Sequence, residues 1–474
     1  MTRLLLRHWL LVTLSTAAFG SAAHAGSPPD PFHTEAALQR DTAGLADPLG
    51  HDCAIPGGAL SFPAAVDVAL CKNPQTRAAW AAAHEQAAAL GSAESAWLPS
   101  VSLAGGESRN FGAHADVTGN IMNSGQNTGD ATVNLTWTLY DFGARTGKIQ
   151  SARSLLDAAA ATASSTAQQL VRNLVQAYYG VVAGDAGLGA AKITEDVTAH
   201  SLEIARSLRD GGVGTLADVL QAETAHGQAL LARIQAEAAA KSAQGTLAVT
   251  LGLTAEQGLK LAAETIPAEV PALTARMADL MAEAVRQRPD LKAAQAQRDA
   301  AEANITVARA AGRPSIAIGA LHNFTSTTGV PNQNYDQVGI TVTWPLFTGF
   351  NVSYGVRQAQ ATLQAQEANV DQVTLNVTLD VWNGYYALDS ANQQLTVTAA
   401  LTKTANDNQD VALGRYKAGV GSIVDVLTAQ TAAATARQTR INAELGWKVA
   451  RAQLALALGR LSSAEPLRDG AALP

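Results

Sequence analysis

Gly212-Val213-Gly214-Thr215-Leu216-Ala217-Asp218-Val219-Leu220 returns later in the chain as Gly419-Val420-Gly421-Ser422-Ile423-Val424-Asp425-Val426-Leu427. The offset from Asp218 to Asp425 is 207 residues. The same offset relates Trp137 to Trp344, Tyr178-Tyr179 to Tyr385-Tyr386, and Leu251-Gly252 to Leu458-Gly459. Nearer the N-terminus, Asn73-Pro74 answers to Arg288-Pro289 and Pro99-Ser100 to Pro314-Ser315, now at an offset of 215. The chain is therefore a duplication, and its first copy holds eight extra residues between Pro99 and Trp137. A length change confined to one place predicts a surface loop there.

Both copies read as the same succession of elements. An Ala-rich helical pattern runs from Phe62 to Trp97, broken at Asn73-Pro74 and closed by Pro99. Val101 and Leu103 then alternate, and a run rich in Gly, Asn and Ser reaches about Gly129. Next, Val133, Leu135, Trp137 and Leu139 alternate with Asn134, Thr136 and Thr138. Period-two alternation predicts a strand hairpin with one apolar face, the Gly/Asn/Ser run being its loop. In the second copy Ile316 and Ile318 begin one strand, while Val338, Ile340, Val342, Trp344 and Leu346 mark the other. Behind each hairpin lies a proline-free helical stretch, about 144–209 and about 352–416. At 1.5 Å per residue each helix reaches about 100 Å, and it needs partners along its whole length. The turn glycines Gly212, Gly214, Gly419 and Gly421 end these helices. Returning helices then run antiparallel to Leu251 and Leu458.

The expected organisation is an irregular leader (26–60), a first repeat (61–259), a connector with Pro267 and Pro271 (260–279), a second repeat (280–460) and a tail (461–474). Residues 1–25 read as a secretory signal: Arg3 and Arg7 precede the apolar stretch 9–19, and Ala23-His24-Ala25 offers a cleavage site. That stretch is shorter than the roughly 20 residues of a membrane anchor. Removing residues 1–25 leaves a net charge of −9, from 31 basic and 40 acidic residues, which argues against nucleic acid as a partner. Cys53 and Cys71 are the only cysteines. In an exported protein they form either a disulfide or two inert buried thiols.

Chemistry is sparse. The nine histidines have no metal-ligand spacing, and His84-Glu85 lacks the second histidine of a zincin helix. Gly143-Ala144-Arg145-Thr146-Gly147-Lys148-Ile149 fails as a phosphate loop and reads as a strand-to-helix junction. The expectation is no enzyme and no cofactor. Two hairpins give four strands, and a closed membrane barrel needs about eight. Open edges are not tolerated in lipid, so membrane-spanning strands require several chains to share one barrel. Apolar residues would face membrane lipid, Thr and Asn a wet interior, and Trp137 and Trp344 the interfacial belt. The other reading is a small soluble sheet packed on helices.

The order and spacing of these elements resemble the TolC family of outer-membrane factors. The matching segments are Asn73-Pro74 and Arg288-Pro289, Leu98-Pro99-Ser100 and Arg313-Pro314-Ser315, Trp137-Thr138-Leu139-Tyr140-Asp141-Phe142-Gly143 and Trp344-Pro345-Leu346-Phe347, and the two Gly-Val-Gly turns. The resemblance implies an α+β membrane protein: a homotrimer with a twelve-stranded barrel and a twelve-helix periplasmic tunnel. Its helix tips would meet an inner-membrane ABC transporter and a membrane-fusion adaptor. It also implies a periplasmic gate with Asp218, Asp425 and Tyr416 as members. Thr428 and Gly421 stand where the prototype has a second aspartate and an arginine. From residue chemistry alone, Asp218 and Asp425 are first-turn helix caps, and both roles can coexist. The leader His51-Asp52-Cys53 and the chain length resemble the branch that exports a protein toxin of the adenylate cyclase–haemolysin type, cyclolysin. Multidrug or metal efflux, and a non-conducting trimeric adhesin or spacer, are the alternatives.

Overall fold

The structure, a computed structural model, describes residues 30–41, 48, 53, 55, 58–115, 121–262 and 276–460. The signal segment, much of the leader, Pro267 and Pro271, and the tail lie outside the described residues. The elements in chain order are α1 (Thr34–Asp41), α2 (Phe62–Lys72), α3 (Pro74–Glu94), β1 (Ser100–Ala115), β2 (Ile121–Tyr140), α4 (Ala144–Asp210) and α5 (Leu216–Thr250). The second copy supplies α6 (Met277–Gln287), α7 (Pro289–Ala310), β3 (Ser315–Thr327), β4 (Gln333–Thr343), α8 (Asn351–Lys417) and α9 (Ile423–Ala457).

The helix breaks are read correctly from Asn73-Pro74 and Arg288-Pro289, but the two copies solve the break differently. Asn73 caps α3 by accepting from Gln75 N at 2.8 Å, and its amide donates to Thr250 O at 2.9 Å. Arginine accepts nothing, so Arg288 instead donates to Asp290 and, at 2.8 Å, to Asp380 on α8. Burial pushes the Asp290 carboxyl up, but the hydrogen bonds and charge of Arg288 hold it below its ordinary range.

α4 and α8 have 67 residues each, about 100 Å of helix. Each lies along its returning helix, α5 or α9, and along the short pair that precedes its hairpin. Apart from Arg145 and Leu156, the buried positions on the half of α4 nearer the sheet are small (Gly147, Ser151, Ala158, Ala160, Ala163 and Ala167), and Leu170, Val171, Leu174, Val175 and Tyr178 follow. Phe62 and Val66 of α2 and Leu247 of α5 close over this stretch, and Tyr178 donates to Leu60 O at 3.1 Å. Small residues let the helices approach closely, and the large ones fill the wider section where a third layer covers them.

Three expectations need correction. The leader is not wholly irregular: α1 is a helix whose Leu38 is buried against Trp80, Ala83 and Leu156. Eight residues are too short for a hydrophobic period to stand out. The described parts of the Gly/Asn/Ser run are strand, not loop: β1 and β2 pair without a break from Ser100↔Thr136 to Ala115↔Ile121. Main-chain hydrogen bonds carry a ladder whatever the side chains are. The eight extra residues therefore lengthen the ladder, because the joining segments, 116–120 and 328–332, are equal in length. Finally, Trp344 and Leu346 lie beyond the strand, since β4 ends at Thr343. Pro345 has no N–H to give the ladder.

Cys53 and Cys71 are joined as a disulfide with their Cα atoms 6.0 Å apart, tying the leader to the end of α2.

Candidate functional site

The two hairpins form one antiparallel sheet in the order β1-β2-β3-β4. Its register sorts the side chains onto two faces. One row crosses the sheet as Val101, Leu135, Ala320 and Val338. The row toward the helices carries Trp137, Ile318 and Ile340. The opposite face carries rows such as Ser102, Asn134, Leu321 and Gln337, then Ala104, Thr132, Asn323 and Tyr335. Asn323 donates to Thr132 Oγ1 at 2.8 Å, and Thr325 donates to Asn323 Oδ1 at 2.7 Å. Val133, Trp137, Leu139, Ile340 and Val342 are all exposed, and Leu135 is half-buried. Among the described residues of a single chain nothing covers the apolar face. Among the described residues no helix is long and apolar enough to cross a membrane.

Below the first hairpin sits a residue that sequence reading assigned only to a junction. Arg145, 7% exposed, donates to Asp141 Oδ2 at 2.9 Å, Thr138 O at 2.7 Å, Leu139 O at 3.2 Å and Ala96 O at 3.3 Å. Its guanidinium lies 4.1 Å from the centre of the Trp97 ring, and Trp137 Nε1 donates to Trp97 O at 2.9 Å. One planar five-donor group thus ties the foot of β1, the foot of β2 and the start of α4 together. In the second copy Val352 stands at this position, and Trp344, Leu346, Phe347 and Phe350 are exposed instead.

At the far end of the long helices both turns are built alike. Gly212 and Gly419 take the left-handed conformation, with φ of 77° and 73°. Gly214 and Gly421 serve another purpose: a Cβ on Gly214 would stand 2.9 Å from Arg209 N, and one on Gly421 3.2 Å from Tyr416 N. Asp218 and Asp425 close reciprocal capping boxes. Asp218 Oδ2 accepts from Thr215 N at 3.0 Å and Asp425 Oδ2 from Ser422 N at 3.2 Å. The Ser422 hydrogen bonds hold the Asp425 carboxyl below its ordinary range, with a further contribution from Arg415. Each carboxylate keeps its second oxygen for another partner.

Tyr416 is buried with Val219, Ala222, Ile423 and Val426, where the two helical hairpins meet. Its hydroxyl has no hydrogen-bond partner among the described residues. Burial raises its pKa, and so does the nearby Asp218 charge. The structure therefore brings Tyr416 to Asp218 across the copies. Thr428 is exposed on α9 in an open groove of about 940 Å³, together with Gln221, Thr224, Gln228 and Leu401. Gly421 offers no charge to the turn.

A family model described as Outer membrane efflux protein matches residues 65–253 and 280–460. The chain belongs to the outer membrane efflux protein family. Protein CyaE of Bordetella pertussis is 30% identical over 391 residues, covering 81% of this chain and 80% of that protein. Outer membrane protein TolC of Vibrio cholerae is 22% identical over 393 residues, covering 81% of this chain and 87% of that one. The solved outer-membrane channel OprN superposes with a TM-score of 0.75 at 22% identity, covering 92% of this chain and 98% of that one. As an outer membrane efflux protein the chain is a transport channel of the outer membrane with a large helical portion in the periplasm, and it is no enzyme. The soluble-sheet and spacer readings fall.

Proposed function

We propose that the chain is the outer-membrane channel of a type I secretion system, working as a homotrimer that exports a protein toxin of the cyclolysin type. The observation that carries the conduit is the sheet itself: one apolar face, one hydrogen-bonding face and two free edges on strands of 11 to 20 residues. A tilted strand of about 9–11 residues already spans a bilayer. Three sheets joined edge to edge make a closed twelve-stranded barrel with lipid outside and water inside. Three copies of α4, α5, α8 and α9 continue it as a tunnel. The 30% identity to CyaE over most of both chains supports the toxin as cargo.

At the tunnel mouth the three-fold axis would repeat Asp218, Asp425 and Tyr416 three times each. The cap uses one oxygen of each aspartate, and the remaining charge favours cations at the mouth. The buried Tyr416 hydroxyl has its missing partner on a neighbouring chain or in the opened state. With Thr428 and Gly421 uncharged, this entrance is held by fewer ionic contacts than a double acidic ring with an arginine would supply. An inner-membrane ABC transporter and a periplasmic adaptor supply energy and engage the tips.

Planar-bilayer recording of the purified protein tests the conduit, and absence of conductance under every condition would sink it. Deletion in the native host tests the cargo. Toxin release should be abolished with drug sensitivity unchanged, whereas raised drug sensitivity with normal toxin release would show a multidrug efflux component instead.

A further inference from the structure

We infer that β4 of one chain closes the barrel against β1 of the partner subunit in the register that sets Asp336 opposite Arg109 of the partner subunit. This rests on the shared-barrel reading above. It adds the seam that the sheet of a single chain leaves undefined.

Three independent constraints select the register. The first is facing. Val338, Ile340 and Val342 lie on the apolar face of β4, as Val101 and Leu103 do on β1. A seam that keeps this face continuous can shift only in steps of two residues.

The second constraint is tilt. Within the chain, Val101 shares a row with Val338. Moving up the apolar face from that row, the first charged residue is Glu107 on β1 and Asp336 on β4. The uncharged band thus drops toward the helices by about four residues across three strand steps, so the strands cross the membrane obliquely. Carried over four strands, the drop is about five residues per chain. Displacements of about four, six or eight residues per four strands give tilts of about 35°, about 46° and about 54°, at ~3.3 Å per residue and ~4.8 Å per strand. Closed barrels tilt by roughly 35–45°, which leaves the first two.

The third constraint is charge. A displacement of four sets Asp336 opposite Glu107 of the partner subunit, a like-charge pair that destabilises an antiparallel seam. A displacement of six sets it opposite Arg109 of the partner subunit. Within its own chain the guanidinium of Arg109 lies over the Phe111 ring at 5.0 Å, with no carboxylate in ion-pair contact among the described residues. Asp336 offers one oxygen to His322 at 2.6 Å and leaves the other open. The same register places Val342 opposite Leu103 of the partner subunit. It also seats all 11 residues of β4 within the 16 of β1.

Cysteine pairs in the full-length chain test this, because the two native cysteines are joined to each other. V342C/L103C should oxidise to covalent dimers and trimers on non-reducing gels, while V342C/V101C stays largely monomeric. Preferential cross-linking of V342C/V101C, or of neither pair, overturns the register. D336R should lower the fraction of heat-resistant trimer, and D336R/R109D should restore it. An unaffected D336R, or a reversal that fails to rescue, equally overturns it. A native chain that purifies as a monomer would instead defeat the shared barrel itself.

Discussion

Replacing Arg145 by alanine should be the most damaging single change outside the long-helix core. Its guanidinium is almost fully buried, and its Nε sits 2.9 Å from Asp141 Oδ2 in an ion pair whose side chains are 8% and 13% exposed. Three carbonyls, of Thr138, Leu139 and Ala96, take its remaining hydrogen bonds. Hydrogen bonds to a charged group are worth about 1.5–3 kcal/mol each, but they share one donor group and do not add. Breaking a buried ion pair by removing one partner costs about 3–5 kcal/mol, and loss of the Trp97 stack lies within that range. We expect about 4 kcal/mol for R145A, read as a drop of roughly 1–2 M in the urea midpoint of the detergent-solubilised protein. R145K keeps the charge but not the planar fork, so it should recover less than half. V352A, at the matching position of the second copy, removes no hydrogen bond and should cost under about 1.5 kcal/mol. An R145A midpoint within about 1 kcal/mol of the parent, or full recovery by lysine, would refute the clamp.

Other positions give sharper yes-or-no outcomes. Gly252 has φ of 76°, and a Cβ there would meet Lys72 O at 2.6 Å, so G252A should lower the melting temperature while G258A, with open space around it, should not. Y416F removes a hydroxyl with no partner among the described residues; stability should stay within about 1 kcal/mol, and a change in single-channel conductance would mark a latch across chains. The depressed Asp425 carboxyl contributes stability above its unfolded value, near 3.9, and loses it as pH falls through the lower folded value. Acid titration of the native chain should show a loss of stability below about pH 4 that D425N lacks. Reducing the Cys53–Cys71 bridge, whose partners are 18 residues apart, should cost about 3 kcal/mol and loosen the leader first.

What could be read beforehand follows the range of the interaction. Gly212, Gly419, Asn73-Pro74 and Arg288-Pro289 announce helix ends because caps and breaks are settled within one turn. The length of β1 and β2 was hidden because the segments 105–115 and 121–129 pair through their main chains, with no hydrophobic period to reveal it. Trp344 and Leu346 continue the alternation of β4, yet Pro345 between them ends the ladder, so pattern and hydrogen bonding disagreed and the hydrogen bonding prevailed. Arg145 could not be anticipated as a clamp. One of its acceptors, Ala96 O, is 49 residues distant, and a carbonyl leaves no mark in the residue type. Likewise Tyr416 comes under the charge of Asp218 only because two helical hairpins, far apart along the chain, end side by side.

β1 and β4 each leave one side of their backbone without a partner in the four-stranded sheet. A newly exported chain in this state cannot enter the hydrocarbon alone, because every exposed peptide group on those edges would be stripped of water. On the shared-barrel reading proposed above, insertion waits for chains to meet, and its rate should climb more steeply than linearly with their concentration. The same geometry creates a vulnerability. A fragment carrying only β1 and β2 could occupy one end of a growing ring and offer no β4 to complete it, so a few such fragments would stall many intact chains.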